Sequence, residues 1–326
     1  MCTAITLKTK DHYFGRNLDL EYSYCESVTV TPRGYPFHFR KLPTAMRHYA
    51  IIGMATVVNG YPLYYDATNE FGLSMAGLNF PGNAVYYPEA ENRDNVAPFE
   101  FIPWILTQCR TIPEVYTLLE KINIVEVPFS EEYPLSPLHW IITDSSCAIT
   151  VETLKDGMHI YKNPVGILTN NPPFDFHMYH LNNYLNLTSE EPKNRFSDRV
   201  NLAPYSRGMG AIGLPGDLSS SSRFVRAAFT KLNSFSGDSE AESVEQFFHV
   251  LGSVAQQQGC VKVNGAYEKT VYSSCCNTDK GVYYYNTYNN RRITAVDMWR
   301  EDLEEKSVIT YPLRKYPDFY WEHGCP

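Results

Sequence analysis

The second residue of the chain is a cysteine, in "MCTAITLKTKDHYFGRNLDL". Chain ends fray and tolerate change, so a thiol there is either without consequence or a use of the terminus itself. A nucleophilic thiol needs a base to make thiolate. Cysteine is small enough for removal of the initiator methionine to be expected, and Cys2 then carries both a thiol and a free α-amine. An α-amine titrates at about 7.7–8.0. It can therefore take the thiol proton and later give it to a departing amine. One residue would act as nucleophile and base, which is amide cleavage through a thioester.

That role needs a start that is fixed in place. "CTAITL" and "HYFGRNL" around "KTKD" read as a β-hairpin that holds Cys2 in a sheet. A three-residue turn centred on Thr9 puts Cys2 opposite Arg16. A guanidinium there favours thiolate and attracts an anionic substrate. Strand alternation sends Asp19 to the other face unless the chain bends, so its part does not follow from spacing. A buried cysteine and a surface Arg–Asp pair account for the same residues without chemistry.

The rest of the chain reads as an ordinary globular protein. Of its 326 residues 44% are hydrophobic and 20% charged. A net charge of −8 without a basic cluster argues against a nucleic-acid partner, because affinity there comes from neutralising phosphates. No signal peptide is visible, since "KTKDH" interrupts the start by residue 12. The longest apolar run, "YAIIGMATVV", is too short to span a bilayer. A cytoplasmic protein without membrane insertion is expected. The eight cysteines form no C-x-x-C pair, so neither a zinc site nor a disulfide framework is suggested. "SSCCN" reads as two small residues of one strand pointing to opposite faces.

Strand-like runs fill the first third: "CTAITL", "HYFGRNL", "SVTVTP", "YAIIGMATVV" and "GLSMAGLNF". Two helical stretches follow, "PFEFIPWILTQC" and "TIPEVYTLLEKI", the second opened by Thr111 and Glu114 as a capping box. Strands return in "LHWIITD", "CAITVET" and "MHIYK". "DFHMYHLNNYLNL" reads as a helix, with His177 and His180 as a surface pair because a third metal ligand is missing. "SSRFVRAAFTKLNSF" is an amphipathic helix whose apolar stripe is Phe224, Ala228 and Leu232, and "SVEQFFHVLGSVAQQ" is another. An antiparallel meander ends the chain in "KTVYSSCC", "GVYYYNTY" and "RRITAVDM". Strands and helices in blocks, without regular alternation or a splitting linker, predict one α+β domain over residues 1–326.

Motifs in order along nearly the whole chain carry a resemblance. They are "MCTAIT", "FGRNLD", "NEFGLSMAGLNFPG", "LHWIITD", "VGILTNNPPFDFH", "GLPGDLSSSSRFVRAAF" and "YSSCCN" with "GVYYYNTY". Together the chain closely resembles the choloylglycine hydrolase family of bile salt hydrolases and penicillin V acylases, within the N-terminal nucleophile hydrolases. The resemblance implies a four-layer αββα sandwich of two packed antiparallel sheets flanked by helices. It implies Cys2 as the nucleophile, Arg16 beside the thiol and Asp19 holding the α-amine. Asn79 and Asn170 would stabilise the oxyanion, with Asn170 preferred over Asn171 because it follows "LT" directly, and Arg223 is a further active-site arginine.

Penicillin V acylases generally carry Tyr where this chain has Asn79, so the resemblance favours glycine or taurine amides of bile acids. A steroid body with an anionic tail suits an apolar trough with few polar anchors. Leu18, Leu20, Tyr24, Tyr61 and Phe129 lie in segments similar to the family's substrate loops. The family commonly forms homotetramers, with the polar insert 188–213 as the assembly loop, and needs no metal or organic cofactor. The alternatives are a penicillin V acylase or acyl-homoserine-lactone amidase, a Cys–His thiol hydrolase using Cys109, Cys147 or Cys260, and a non-catalytic steroid carrier.

Overall fold

A computed structural model describes residues 1–322. The first hairpin pairs β1 (Cys2–Lys8) with β2 (His12–Leu20). Lys8 faces His12, so the turn is Thr9, Lys10 and Asp11, centred on Lys10 rather than Thr9. Cys2 consequently faces Leu18, and Arg16 faces Ala4. Residues remote in sequence set this register: Asn277 binds the Asp11 carboxylate at 3.0 Å, and the His12 N–H donates to Asp279 at 2.8 Å. A slip of two residues keeps Arg16 on the same sheet face as Cys2.

The hairpin sits inside the first sheet, whose strands run Ile167–Leu168, β1, β2, Ala266–Asn277, Val282–Thr287 and Thr294–Asp297. The second sheet contains β3 (Ser27–Thr31), β4 (Ile51–Val58), β5 (Tyr61–Asn69) and β6 (Ser74–Asn79). Its full order is Gly157–Lys162, Ala148–Leu154, Leu138–Thr143, β6, β5, β4, β3 and Ile309–Pro312. Every neighbouring pair in both sheets is antiparallel.

Alternation in the second sheet shows the layering. Ile52, Met54, Leu78 and Ile141 pack toward Ala4, Phe14, Leu18 and Tyr272 of the first sheet. Ile51, Ala55, Trp140 and Ile142 pack toward α1 (Phe101–Leu106) and α2 (Ile112–Leu119). The outer face of the first sheet is covered by α4 (Ser220–Asn233) and α5 (Glu240–Gly252), with α3 (Phe174–His180) against α4. The architecture is the expected αββα sandwich. Strands covered on both faces explain why "YAIIGMATVV" reads as a continuous apolar run rather than an alternating one. Gly15 permits the close approach of β2 to its neighbour, since a Cβ there would lie 2.0 Å from the Ser274 carbonyl oxygen.

Several local readings change. β5 carries Pro62 near its start, a residue that reads as a strand breaker in the sequence. Pro62 lies outside the stretch of β5 that pairs with β6, which covers only Asp66–Thr68, so its missing N–H costs no bond on that side. The α4 stripe is Phe224, Val225, Ala227 and Ala228, while Leu232 in the last turn is exposed. Thr111 caps α2, but Glu114 accepts the Arg110 N–H instead of closing a capping box. Cys275 and Cys276 are buried and unpaired, and Cys25, Cys147 and Cys260 are exposed thiols. Cys325 lies outside the described residues. No described helix is long and apolar enough to cross a membrane.

Candidate active site

A cavity of about 290 Å³ opens at the end of the sandwich where β1 begins. Alternation along β2 presents Arg16, Leu18 and Leu20 to it beside Cys2. The second sheet contributes Tyr65, Gly77 and Asn79, and the segment 127–136 closes the rim with Phe129. Leu18, Leu20, Tyr24 and Phe129 line the cavity. Tyr61 does not line it. It sits at the outer end of β5, its ring centroid 5.6 Å from Phe129 and 5.8 Å from Phe99, one layer behind the wall.

Arg16 is fully buried, and its guanidinium is aimed by carbonyl oxygens of the facing sheet. Nη1 donates to Gly77 at 2.6 Å and to Tyr65 at 3.0 Å, while Nη2 has no partner among the described residues. Burial alone would depress this guanidinium. The acidic groups around it, Cys2 first and then Tyr272, Asp66 and Asp19, outweigh that and raise its pKa. Asp66 supplies a fixed counter-charge, held by the hydroxyls of Tyr272 and Tyr283, each at 2.6 Å.

The backbone of Cys2 is gripped on its other side. Its N–H donates to Asn170 Oδ1 at 2.8 Å, and the same oxygen accepts Arg223 Nη2 at 2.7 Å. Arg223 Nη1 donates to the Cys2 carbonyl oxygen at 2.5 Å and to Thr3 Oγ1 at 2.7 Å. Arg223 projects from α4, one position before Phe224, and is fully buried. Asn170 Nδ2 donates to the Asn79 carbonyl oxygen at 2.7 Å, which joins the two asparagines. Asn171 turns away and donates to Pro81, so only Asn170 reaches Cys2.

Asp19 follows strand alternation and does not line the cavity. Its Oδ1 accepts the Thr270 hydroxyl at 2.6 Å and its Oδ2 is buried without a partner among the described residues. A register shift in Ala266–Asn277 between Thr270 and Tyr272 brings that hydroxyl opposite Asp19. Burial raises the Asp19 carboxyl above its ordinary value against the pull of Arg223, the Met1 amine and Thr270. With Met1 in place, the terminal amine donates to the Asp19 carbonyl oxygen at 2.7 Å and pairs with Glu268. Glu268 is buried, and its Oε2 also lacks a partner.

Four supporting residues are placed by tertiary contacts and not by local sequence pattern. Thr270 and Glu268 sit in a strand whose bulge has no sequence signal. Ser220 Oγ accepts the Asn170 N–H at 2.8 Å. His177, read above as half of a surface pair, is buried: its ring stacks on Phe224 with centroids 4.7 Å apart, and Nε2 donates to the Asn170 carbonyl oxygen at 2.9 Å. Burial lowers its pKa to about 4, so it stands neutral as a donor. The packing of α3 on α4 decides this, and spacing alone does not show it.

A thiol at the start of a strand, a buried arginine beside it and two linked asparagines make a site for acyl transfer. The family model of linear amide C–N hydrolases, choloylglycine hydrolase family, matches residues 2–311. The chain belongs to the choloylglycine hydrolase family. It is 55% identical over 321 residues to a bile salt hydrolase/transferase of Lactiplantibacillus plantarum, covering 98% of this chain and 99% of the relative. It is 38% identical to a bile salt hydrolase/transferase of Clostridium perfringens, covering 97% and 98%. Among solved structures, a variant of conjugated bile acid hydrolase from Clostridium perfringens superposes with a TM-score of 0.91 at 36% identity, covering 99% of this chain and 100% of that one. Penicillin V acylase from Agrobacterium tumefaciens, with a TM-score of 0.73 at 20% identity, covering 95% and 90%, shares the fold. The choloylglycine hydrolase fold thus accounts for both the layers and the place of Cys2.

Proposed function

We propose that the protein hydrolyses the amide bond of glycine- or taurine-conjugated bile salts, with Cys2 as nucleophile. The observation that carries this reading is the joint placement of Cys2. Its side-chain face borders an apolar cavity with Arg16 and Asn79, and its nitrogen is held by Asn170. Loss of Met1 turns that nitrogen into an α-amine beside Asn170 Oδ1 and frees the Met1 amine's acceptors. Asp19, whose Oδ2 has no partner among the described residues, is the carboxylate assigned to orient that amine.

In the reaction the α-amine takes the thiol proton and the sulfur attacks the amide carbon. The carbonyl oxygen becomes an oxyanion, for which Asn79 and Asn170 are the assigned donors, each worth roughly 10²–10³ in rate. Collapse breaks the C–N bond, and the α-amine returns its proton to the departing glycine or taurine. Water, deprotonated by the same amine, then cleaves the thioester and releases the bile acid. Arg16 keeps Nη2 free for negative charge in the cavity, and Arg223 fixes the backbone of Cys2.

The reading includes a cytoplasmic homotetramer. Exposed Phe196, Leu202 and Tyr205 in the insert 188–213 support an assembly surface, and light scattering in solution tests it. The central experiment compares turnover of glycocholate, taurocholate and penicillin V, with intact mass recording loss of Met1. Faster cleavage of penicillin V, or full activity with Met1 retained, overturns the proposal.

A further inference from the structure

His139 and Glu152 are fully buried, and the mechanism above does not use them. Both ring nitrogens of His139 face acceptors: Nδ1 is 2.9 Å from Glu152 Oε1, and Nε2 is 3.0 Å from the Thr169 carbonyl oxygen. A carbonyl oxygen only accepts, so Nε2 carries a hydrogen and donates it to Thr169. One further proton closes the Nδ1–Glu152 bond, whichever partner owns it. The ring also stacks on Phe80, with centroids 4.2 Å apart and planes within 6°.

Phe80 directly follows Asn79, and Thr169 directly precedes Asn170. The two asparagine segments leave different sheets, and His139 touches both from behind, in addition to the direct bonds of Asn170 to the Asn79 carbonyl oxygen and of Asn171 to Pro81. Glu152 closes a second path, accepting the Phe174 N–H at 3.1 Å where α3 begins. From α3, His177 reaches back to the Asn170 carbonyl oxygen. Asn170 is therefore held from Thr169 on one side and from its own carbonyl on the other, with Glu152 behind both.

We infer that His139 and Glu152 are positioning residues for amide cleavage, setting Asn170 against Asn79 through the Thr169 carbonyl and the Phe80 ring. The inference rests on the proposed roles of the two asparagines. A buried polar pair contributes little net stability over an apolar pair of equal volume, so its distinctive product is orientation. Orientation matters because a displacement of about 1 Å costs on the order of 100-fold in rate.

Two substitutions separate orientation from stability. In His139→Gln the amide nitrogen takes the place of Nε2, keeping Thr169 and losing Glu152. In His139→Asn it takes the place of Nδ1, keeping Glu152 and losing Thr169. The expected pattern is crossed. Both variants lose the ring that stacks on Phe80, so the contrast between them reads the Thr169 bond: H139Q melts at the lower temperature but keeps the higher kcat on glycocholate, whereas H139N melts higher with kcat roughly 10-fold or more below that of H139Q. KM stays within about threefold in both.

Activity that follows stability, with H139N at least as active as H139Q, overturns the inference. If either variant fails to fold, Glu152→Gln and Glu152→Ala decide. The amide of E152Q can donate to Nδ1 and accept from Phe174, so it retains kcat within about threefold, and an equally active E152A overturns the inference. A wild-type enzyme inactive on bile salts refutes the proposed substrate instead, and the same variant comparison then runs on whichever amide it cleaves.

Discussion

Arg223 and Cys2 are bonded twice, once directly through the Cys2 carbonyl oxygen and once through Asn170 Oδ1, which receives both Arg223 Nη2 and the Cys2 N–H. The nucleophile's backbone is thereby fixed by a guanidinium from another layer of the sandwich. Arg223 is also the foremost charge pulling the Asp19 carboxyl down against its burial. Removing it with Arg223→Met takes the donor from the buried Cys2 carbonyl, Thr3 and Asn170 oxygens and the foremost opposing charge from Asp19, at an expected cost of about 3–5 kcal/mol in stability. Lysine cannot reproduce the fork, so Arg223→Lys is expected to lower kcat roughly 100-fold while folding. Urea denaturation and glycocholate kinetics check both, and wild-type stability in the Met variant contradicts the assigned role.

The "TNN" doublet separates cleanly by contact. Asn170 touches Cys2, Arg223 and Asn79, whereas Asn171 donates to Pro81 at the surface. Asn170→Ala is expected to reduce kcat by roughly 10²–10³, the loss typical of one oxyanion donor. Asn171→Ala is expected to stay within about threefold of wild type. Equal losses in the two variants would place the asparagine assignment in error.

Tyr61 and Phe129 distinguish a wall from its backing. The Tyr61 hydroxyl is buried without a hydrogen-bond partner, and burial raises its pKa well above the ordinary value. Tyr61→Phe removes that unsatisfied group and is expected to stabilise the fold by about 1 kcal/mol with KM unchanged. Phe129→Ala opens the cavity wall and is expected to raise KM for glycocholate several-fold. Melting temperatures and saturation curves for the two variants report on this directly.

What the sequence shows of this site is what is local to a strand or a motif. The terminal cysteine, the hairpin and the alternation that separates Arg16 from Asp19 need only neighbouring residues. The hairpin register does not, because Asn277 and Asp279 hold its turn from the far end of the chain. His177 reads as a surface residue since the side of α3 that meets Phe224 is chosen by tertiary packing. Thr270 reaches Asp19 through a bulge between Thr270 and Tyr272, a displacement of one residue that composition does not encode. Leu232 fits a helical stripe, yet it is exposed in the last turn of α4. For the hairpin, His177 and Thr270 the missing information is a partner more than 40 positions away.

Acid should destabilise the fold through its buried histidines. His12 lies between Thr278, 3.0 Å from Nδ1, and Thr143, 3.4 Å from Nε2, and burial lowers its pKa to about 4. His177 is lowered to about 4 for the same reason. In the unfolded chain both protonate near the ordinary value of about 6.5. The unfolded state therefore binds more protons between these values, and stability falls as pH drops from about 6.5 to 4. Each histidine contributes up to about 3 kcal/mol across that window. Asp19 and Asp66 act in the opposite sense. Their folded pKa values are raised, so protonation in acid relieves a burial penalty and offsets part of the loss. A single-site comparison isolates the histidine contribution. Urea midpoints of His12→Gln should fall less steeply than wild type between pH 6.5 and 4, and should run parallel to it above pH 7. An unchanged slope in the variant would mean that His12 titrates alike in the folded and unfolded chains, contrary to its burial.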